Sequence, residues 1–156
     1  MKRIALLIMV ITISQITYSQ CVYYVSSGIF QFPDGSTAQG YSGVNNSKSD
    51  DAKDMYGQYY HNSVEGSSVQ AHGTIPCGTY YITGYDNSIS PYTLTLNPDI
   101  STNTYGRVGF KIHGDNSSHN ASRGCIILGK EAREKIVKEF EDEKSRGRFL
   151  TLHVYE

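Results

Sequence analysis

The chain has 156 residues, with 14 Lys and Arg against 15 Asp and Glu, so its formal charge is −1 and it offers no basic field for nucleic acid. It lacks Trp, carries 13 Tyr and 15 Gly, and is rich in Ser, Thr and Asn. That is the make-up of an exported, strand-rich domain with a polar surface, long enough for one real core.

Lys2 and Arg3 precede an apolar run from Ile4 to Ile13, which is followed by the polar stretch "SQITYSQC". Ten apolar residues are too few to span a bilayer, which takes roughly 20. With Thr17-Tyr18-Ser19 behind it, the segment reads as a secretory signal peptide over residues 1–19, leaving one domain over 20–156 and no stable membrane span. Cys21 raises the alternative of a lipoprotein signal, but Gln20 stands where acylation wants a small residue. Loss of Lys2 and Arg3 leaves 12 basic against 15 acidic residues, a formal −3.

Export changes the cysteine arithmetic. Cys21, Cys77 and Cys125 form an odd set in an oxidising compartment, most simply one bond and one free thiol. Cys125 is the one with chemical company, so a Cys21–Cys77 disulfide is the tentative pairing.

Along the mature chain, "CVYYVSSGIFQFPDGS" predicts two strands around a Gly break and then a Pro-Asp-Gly turn. The polar, Tyr-dotted stretch from Gly40 to Ser63 reads as a long loop with a short helical turn. Pro76-Cys77-Gly78 marks a turn before a strand over Thr79–Thr83. In "SPYTLTLNPD", Tyr92, Leu94 and Leu96 alternate with Thr93 and Thr95, a half-buried strand ended by Asn-Pro-Asp. "VGFKIHG" and "GCIILG" are two more strands. "KEAREKIVKEFEDEKSRG" is a helix, with Ala132, Ile136, Val137 and Phe140 on one face and Gly147 as its stop. "RFLTLHVYE" closes the chain as a strand alternating Leu150, Leu152 and Val154 with Thr151, His153 and Tyr155. The class is mainly β with one substantial C-terminal helix.

The chemistry concentrates in "KIHGDNSSHNASRGCIIL". His113 ends one predicted strand and Cys125 begins the next. A thiol nucleophile needs a base in reach, because the thiolate is the reactive form. Gly124 would let a substrate approach the main chain, and the amides around Gly124 and Cys125 are natural oxyanion donors. Ser122 can bond within the loop, and Arg123 could bias Cys125 toward thiolate or hold a substrate carboxylate. Taken singly, a cysteine at a strand start is more often a small buried hydrophobe and a histidine at a strand end a surface group. A metal set of His113, Asp115, His119 and Cys125 matches no closed zinc spacing.

Beyond these residues, "IHG…SRGC" resembles the signature of L,D-transpeptidases of the YkuD type. The likeness is closer to a divergent branch that includes the L,D-transpeptidase effectors of type VI secretion systems, with "GRxGFxIHGDN…SxGCI" followed by an arginine. The chain reads Gly106-Arg107-Val108-Gly109-Phe110-Lys111-Ile112-His113-Gly114-Asp115-Asn116, then Ser122-Arg123-Gly124-Cys125-Ile126-Ile127-Leu128, then Arg133. Upstream, Gly40-Tyr41-Ser42-Gly43, Ile75-Pro76-Cys77-Gly78-Thr79-Tyr80 and Leu94-Thr95-Leu96-Asn97-Pro98 are similar to the branch's "GYSG", "IPxGxY" and "LxLxP", in the same order.

The resemblance implies a YkuD-like β-sandwich catalytic domain and a peptidoglycan-modifying cysteine enzyme acting on the tetrapeptide stem without metal or organic cofactor. Carried over by position, Cys125 is the nucleophile, His113 its base, and the Gly114 carbonyl orients the imidazole, while Ser122 and Gly124 shape the oxyanion region. Arg123 stands where the wider family has a second histidine, and His119 does not replace it. Asp115, Asn116 and Arg123 are candidate substrate contacts, and Arg107 and Arg133 are either contacts for a substrate carboxylate or structural braces. His61, His72, His119 and His153 read as surface or structural residues. The implied setting is periplasmic or secreted. A leader suits an autonomous wall-modifying enzyme better than an effector, for which an immunity protein would be the partner. The competing function is an exported, non-catalytic module that binds peptidoglycan or a partner surface through Tyr-rich loops.

Overall fold

A computed structural model describes residues 19–43, 73–117 and 121–156. Most of the predicted leader, the predicted loop from 44 to 72 with His61 and His72, and His119 lie outside the described residues. The described residues form eight strands: β1 Gln20–Tyr24, β2 Ile29–Gln31, β3 Thr37–Ser42, β4 Gly78–Asp86, β5 Thr93–Pro98, β6 Lys111–His113, β7 Ile126–Leu128 and β8 Leu150–Tyr155. One helix, α1, spans Lys130–Ser145. The strands hydrogen-bond in the order β1-β2-β3-β7-β6-β5-β4-β8, and β8 returns to β1 to close a barrel. The mainly-β, one-helix class is as predicted, but the strands join in a single closed ring where the resemblance implied a sandwich. Parallel pairing of β8 with β1 removes the two edges that would separate the sheets.

Period-two alternation drives the pairing. Leu150, Leu152 and Val154 of β8 are buried, while Thr151 and His153 are half-buried and Tyr155 exposed. With Cys21, Tyr23, Tyr80, Ile82, Leu94, Ile112, Ile126 and Leu128 they fill the core, and α1 adds Ile136 with Ala132, Val137 and Phe140 packed around it. The helix also buries two charged residues that the apolar stripe does not announce, Arg133 and Glu143. Glu143 accepts from Arg148 at 2.6 Å through both oxygens and from Ser19 at 3.2 Å, tying the end of α1 to the start of β8 and to the residue before β1.

β3 falls partly in the stretch predicted as loop. Its Gly40 hides the strand signal and yet has a strand role, because a Cβ there would meet the Ile127 carbonyl oxygen at 2.4 Å. Tyr92 is not in β5, where alternation put it; it takes a positive φ of 60° in the turn before it.

The predicted Cys21–Cys77 disulfide is absent, and all three cysteines are free. Cys21 of β1 lies beside Leu152, and Cys77 precedes Gly78 of β4, which lies beside Val154. Strand β8 therefore stands between them, and two inter-strand spacings amount to about 10 Å, beyond the Cα separation a disulfide can bridge.

Candidate active site

Strands β6 and β7 run parallel with Ile112 beside Ile126 and His113 beside Ile127. Ile112 and Ile126 point into the core, so alternation puts Lys111, His113, Cys125 and Ile127 on the opposite face. Cys125 is level with Lys111, and His113 is two residues farther along, a diagonal neighbour across the pair. A diagonal of this kind is within reach of a ring side chain.

His113 is buried, and its Nδ1 lies 2.8 Å from the Gly114 carbonyl oxygen. A carbonyl only accepts, so Nδ1 carries the proton and Nε2 is left with its lone pair. Burial holds the imidazole pKa below its ordinary value; the Gly114 bond opposes this, and the Arg133 and Lys111 charges reinforce it. The ring is thus neutral at neutral pH. Burial likewise raises the Cys125 thiol, against the pull of the Lys111 backbone N–H on the sulfur and of the Lys111 and Arg107 charges. Among the described residues no hydrogen bond joins His113 to Cys125. The resting pair is a thiol beside a neutral imidazole, not a preformed ion pair.

The loop between them is held from several sides. Ser122 Oγ accepts from the Gly43 amide at 2.8 Å and the Gly124 amide at 3.3 Å, and donates to the Cys125 carbonyl at 2.6 Å. The Gly124 N–H predicted as an oxyanion donor is therefore engaged within the loop. The Tyr41 hydroxyl donates to Asp115 at 2.5 Å and accepts from the Ala121 amide at 3.2 Å, joining the two ends of the loop.

Gly124 has a role other than the one its small size suggested. Its φ is +107°, and a Cβ would meet Arg107 Nη2 at 1.9 Å. The missing side chain makes room for a guanidinium, not for substrate. Arg107 is buried, donating to the carbonyls of Thr74 at 2.6 Å, Gly73 at 3.3 Å and Arg123 at 3.2 Å, with Phe110 against its face. Of the two roles open to it, brace or substrate contact, this geometry is that of a brace.

His113 and Cys125 stand on one face of neighbouring strands, Gly114 bonds the His113 ring, and Ser122 and Gly124 lie in the turn that leads into Cys125. Asp115 and Asn116 are exposed at the loop start, and the exposed Arg123 reaches the cluster through its main chain. The cations that act on the sulfur are Lys111 and Arg107 instead. Lys111 was legible in principle, two residues before His113 on the same strand face. Ser90 left no signal, although its hydroxyl accepts from the Gly114 amide at 2.8 Å. Among the described residues no three His, Cys, Asp or Glu side chains converge as a metal set, and no helix is long and apolar enough to cross a membrane.

The Tlde1 domain, that of a type VI secretion L,D-transpeptidase effector family, matches residues 36–151. No curated protein matches the chain. Among solved structures, Mycobacterium tuberculosis L,D-transpeptidase 1 is similar at 12% identity and a TM-score of 0.47, over 88% of this chain and 59% of that one. The chain thus spans less than two thirds of that protein's length.

Proposed function

Because the chain belongs to the Tlde1 domain family, we propose that it is an exported cysteine enzyme that modifies peptidoglycan at the tetrapeptide stem. The observation that carries this reading is the parallel β6–β7 pair, which sets His113 and Cys125 on one face with the imidazole neutral and its Nε2 unprotonated. Nε2 takes the thiol proton as Cys125 Sγ attacks the carbonyl carbon of the third stem residue. The bond to the terminal D-alanine breaks, that residue's nitrogen takes the proton back from His113, and a thioester remains on Cys125. Water resolves it as an L,D-carboxypeptidase; the amine of a D-amino acid or a second stem resolves it as a transpeptidase. The Gly114 carbonyl supports the imidazolium that forms in between, and in this reading the Cys125 N–H donates to the developing oxyanion.

In this reading residues 1–19 are removed on export, the product acts in the periplasm or outside the cell, and no cofactor takes part. An immunity protein is the expected partner if the target is a rival's wall. A non-catalytic binding module is the second reading, favoured by the protonated thiol and by the lack of a His113–Cys125 hydrogen bond among the described residues. Mass spectrometry of disaccharide-tetrapeptide incubated with the protein, with and without an added D-amino acid, separates the two. The enzyme releases one alanine, or exchanges it for the added amino acid, and Cys125→Ala does neither. Equal turnover by Cys125→Ala, or none by the wild type, sinks the enzyme reading.

A further inference from the structure

Beside the His113–Cys125 face lies a second feature with chemistry of its own. A cavity of about 320 Å³ opens over Ile127 and runs past Gly114 to Gly129, Lys130 and Arg133 at the start of α1. Arg133 is only 4% exposed. Its Nε donates to the Leu128 carbonyl at 3.1 Å, and its Nη1 to Ser90 Oγ at 2.8 Å and to the Pro91 carbonyl. Among the described residues those bonds leave Nη2 without an acceptor and the charge without a paired acid. Nη2 is the atom that approaches Gly114, since a Cβ on that residue would lie 2.9 Å from it. A buried cation with no counter-charge is costly unless a ligand supplies one.

The helix adds to the same end of the cavity. No side chain caps the N-terminus of the 16-residue α1, whose N-cap residue is Gly129. Its first-turn amides and dipole therefore favour an anion there. Lys130 is exposed on the rim, while Glu131, the acid of the first turn, lines the neighbouring cavity with Phe32 and Lys135. Asp115 occupies the opposite wall. A carboxylate accompanied by an ammonium meets both signs, as an amino-acid end does.

We propose that this cavity is a carboxylate subsite of the peptide-binding face, formed by Arg133 Nη2, the start of α1 and Lys130. The proposal rests on the enzyme reading above and sets a distance on its substrate. Lys111 is level with Cys125, so Gly114 lies three strand steps beyond it, roughly 10 Å from the sulfur along the strands. The carboxylate of a residue directly after the scissile bond would fall about 4 Å from the reacting carbonyl. The group this cavity fits is farther out: the end of a long diacid side chain on the donor stem, or the carboxylate of an amino-acid acceptor.

Kinetics on the full chain with paired substrates test this. One pair is a tetrapeptide stem whose third-residue side-chain carboxylate is free or amidated; the other is a D-amino acid acceptor, free or as its amide. The wild type prefers the acid over the amide by about tenfold or more in one pair, the scale of a charge-assisted hydrogen bond left unmade, and that pair identifies the source. Lys130→Glu, an exposed change outside the catalytic pair, cuts the preference several-fold, and Arg133→Gln brings it near unity. Equal use of acid and amide in both pairs by the wild type, or an unmoved ratio in Lys130→Glu, overturns the subsite. Calorimetry of the same ligands with Cys125→Ala reads the ratio even without turnover. Absent turnover with a persisting acid preference in binding therefore counts against the enzyme reading alone.

Discussion

Replacing Gly124 with alanine tests the brace under the nucleophile. The new Cβ would lie 1.9 Å from Arg107 Nη2, so the guanidinium has to leave. It gives up one short bond to Thr74 and two longer ones to Gly73 and Arg123. At about 1.5–3 kcal/mol for a well-made bond from a charged donor and less for the longer pair, that is about 3–5 kcal/mol. Holding alanine at φ +107° adds about 1–2 kcal/mol. The sum, about 4–7 kcal/mol, is a large part of the roughly 5–15 kcal/mol that keeps a domain folded. Arg107→Ala alone removes the same bonds, so the two changes share most of their cost. In urea denaturation the double variant falls short of the summed single effects by about 3 kcal/mol. Additivity within about 0.5 kcal/mol, or a Gly124→Ala chain less than about 1 kcal/mol destabilised, refutes the contact as the reason for glycine here.

Further outcomes follow from the electrostatics. Alkylation of Cys125 has its inflection above the free-thiol value, and stem turnover rises with pH through an inflection below the ordinary imidazole value as His113 loses its proton; reversed positions would mean a resting ion pair. His113→Ala lowers turnover by about 10²–10⁴-fold while thermal melting still shows a folded chain. Glu143, whose carboxyl pKa is held low first of all by Arg148, contributes stability that is complete above the ordinary carboxyl range and lost as pH falls through the depressed value. Glu143→Gln therefore destabilises by about 3 kcal/mol at pH 7 and by much less in acid, measured by urea titration at both.

What the sequence disclosed was local. The alternation of β8 and the stripe of α1 arise from neighbours a few residues apart, and both fold as their patterns predict. His113 and Cys125, which taken singly read as structural residues, stood out through the ordered resemblance of "IHG…SRGC" and the stretches around it. Contacts distant in the chain were not legible. Gly124 suggested access for substrate until Arg107, 17 positions earlier, occupied the space. Cys21 and Cys77 were paired by arithmetic, and only the placing of β8 between their strands separates them. Closure of the sheet was hidden for the same reason, since it depends on the first described strand meeting the last.

That closure bears on how the chain reaches its folded state. Gln20 of β1 pairs with Thr151 of β8, 131 positions later, and β4 needs the same strand on its other side. Neither neighbour of β8 has both its partners until β8 itself has been made. Loop-closure entropy makes such distant pairings slow. Until then β1 has only β2 as a partner, on the far edge of the sheet that runs on through β3. Without β8 the other seven strands can pair only as an open sheet with β1 and β4 at its edges, and β8 is the strand that turns that sheet into a ring.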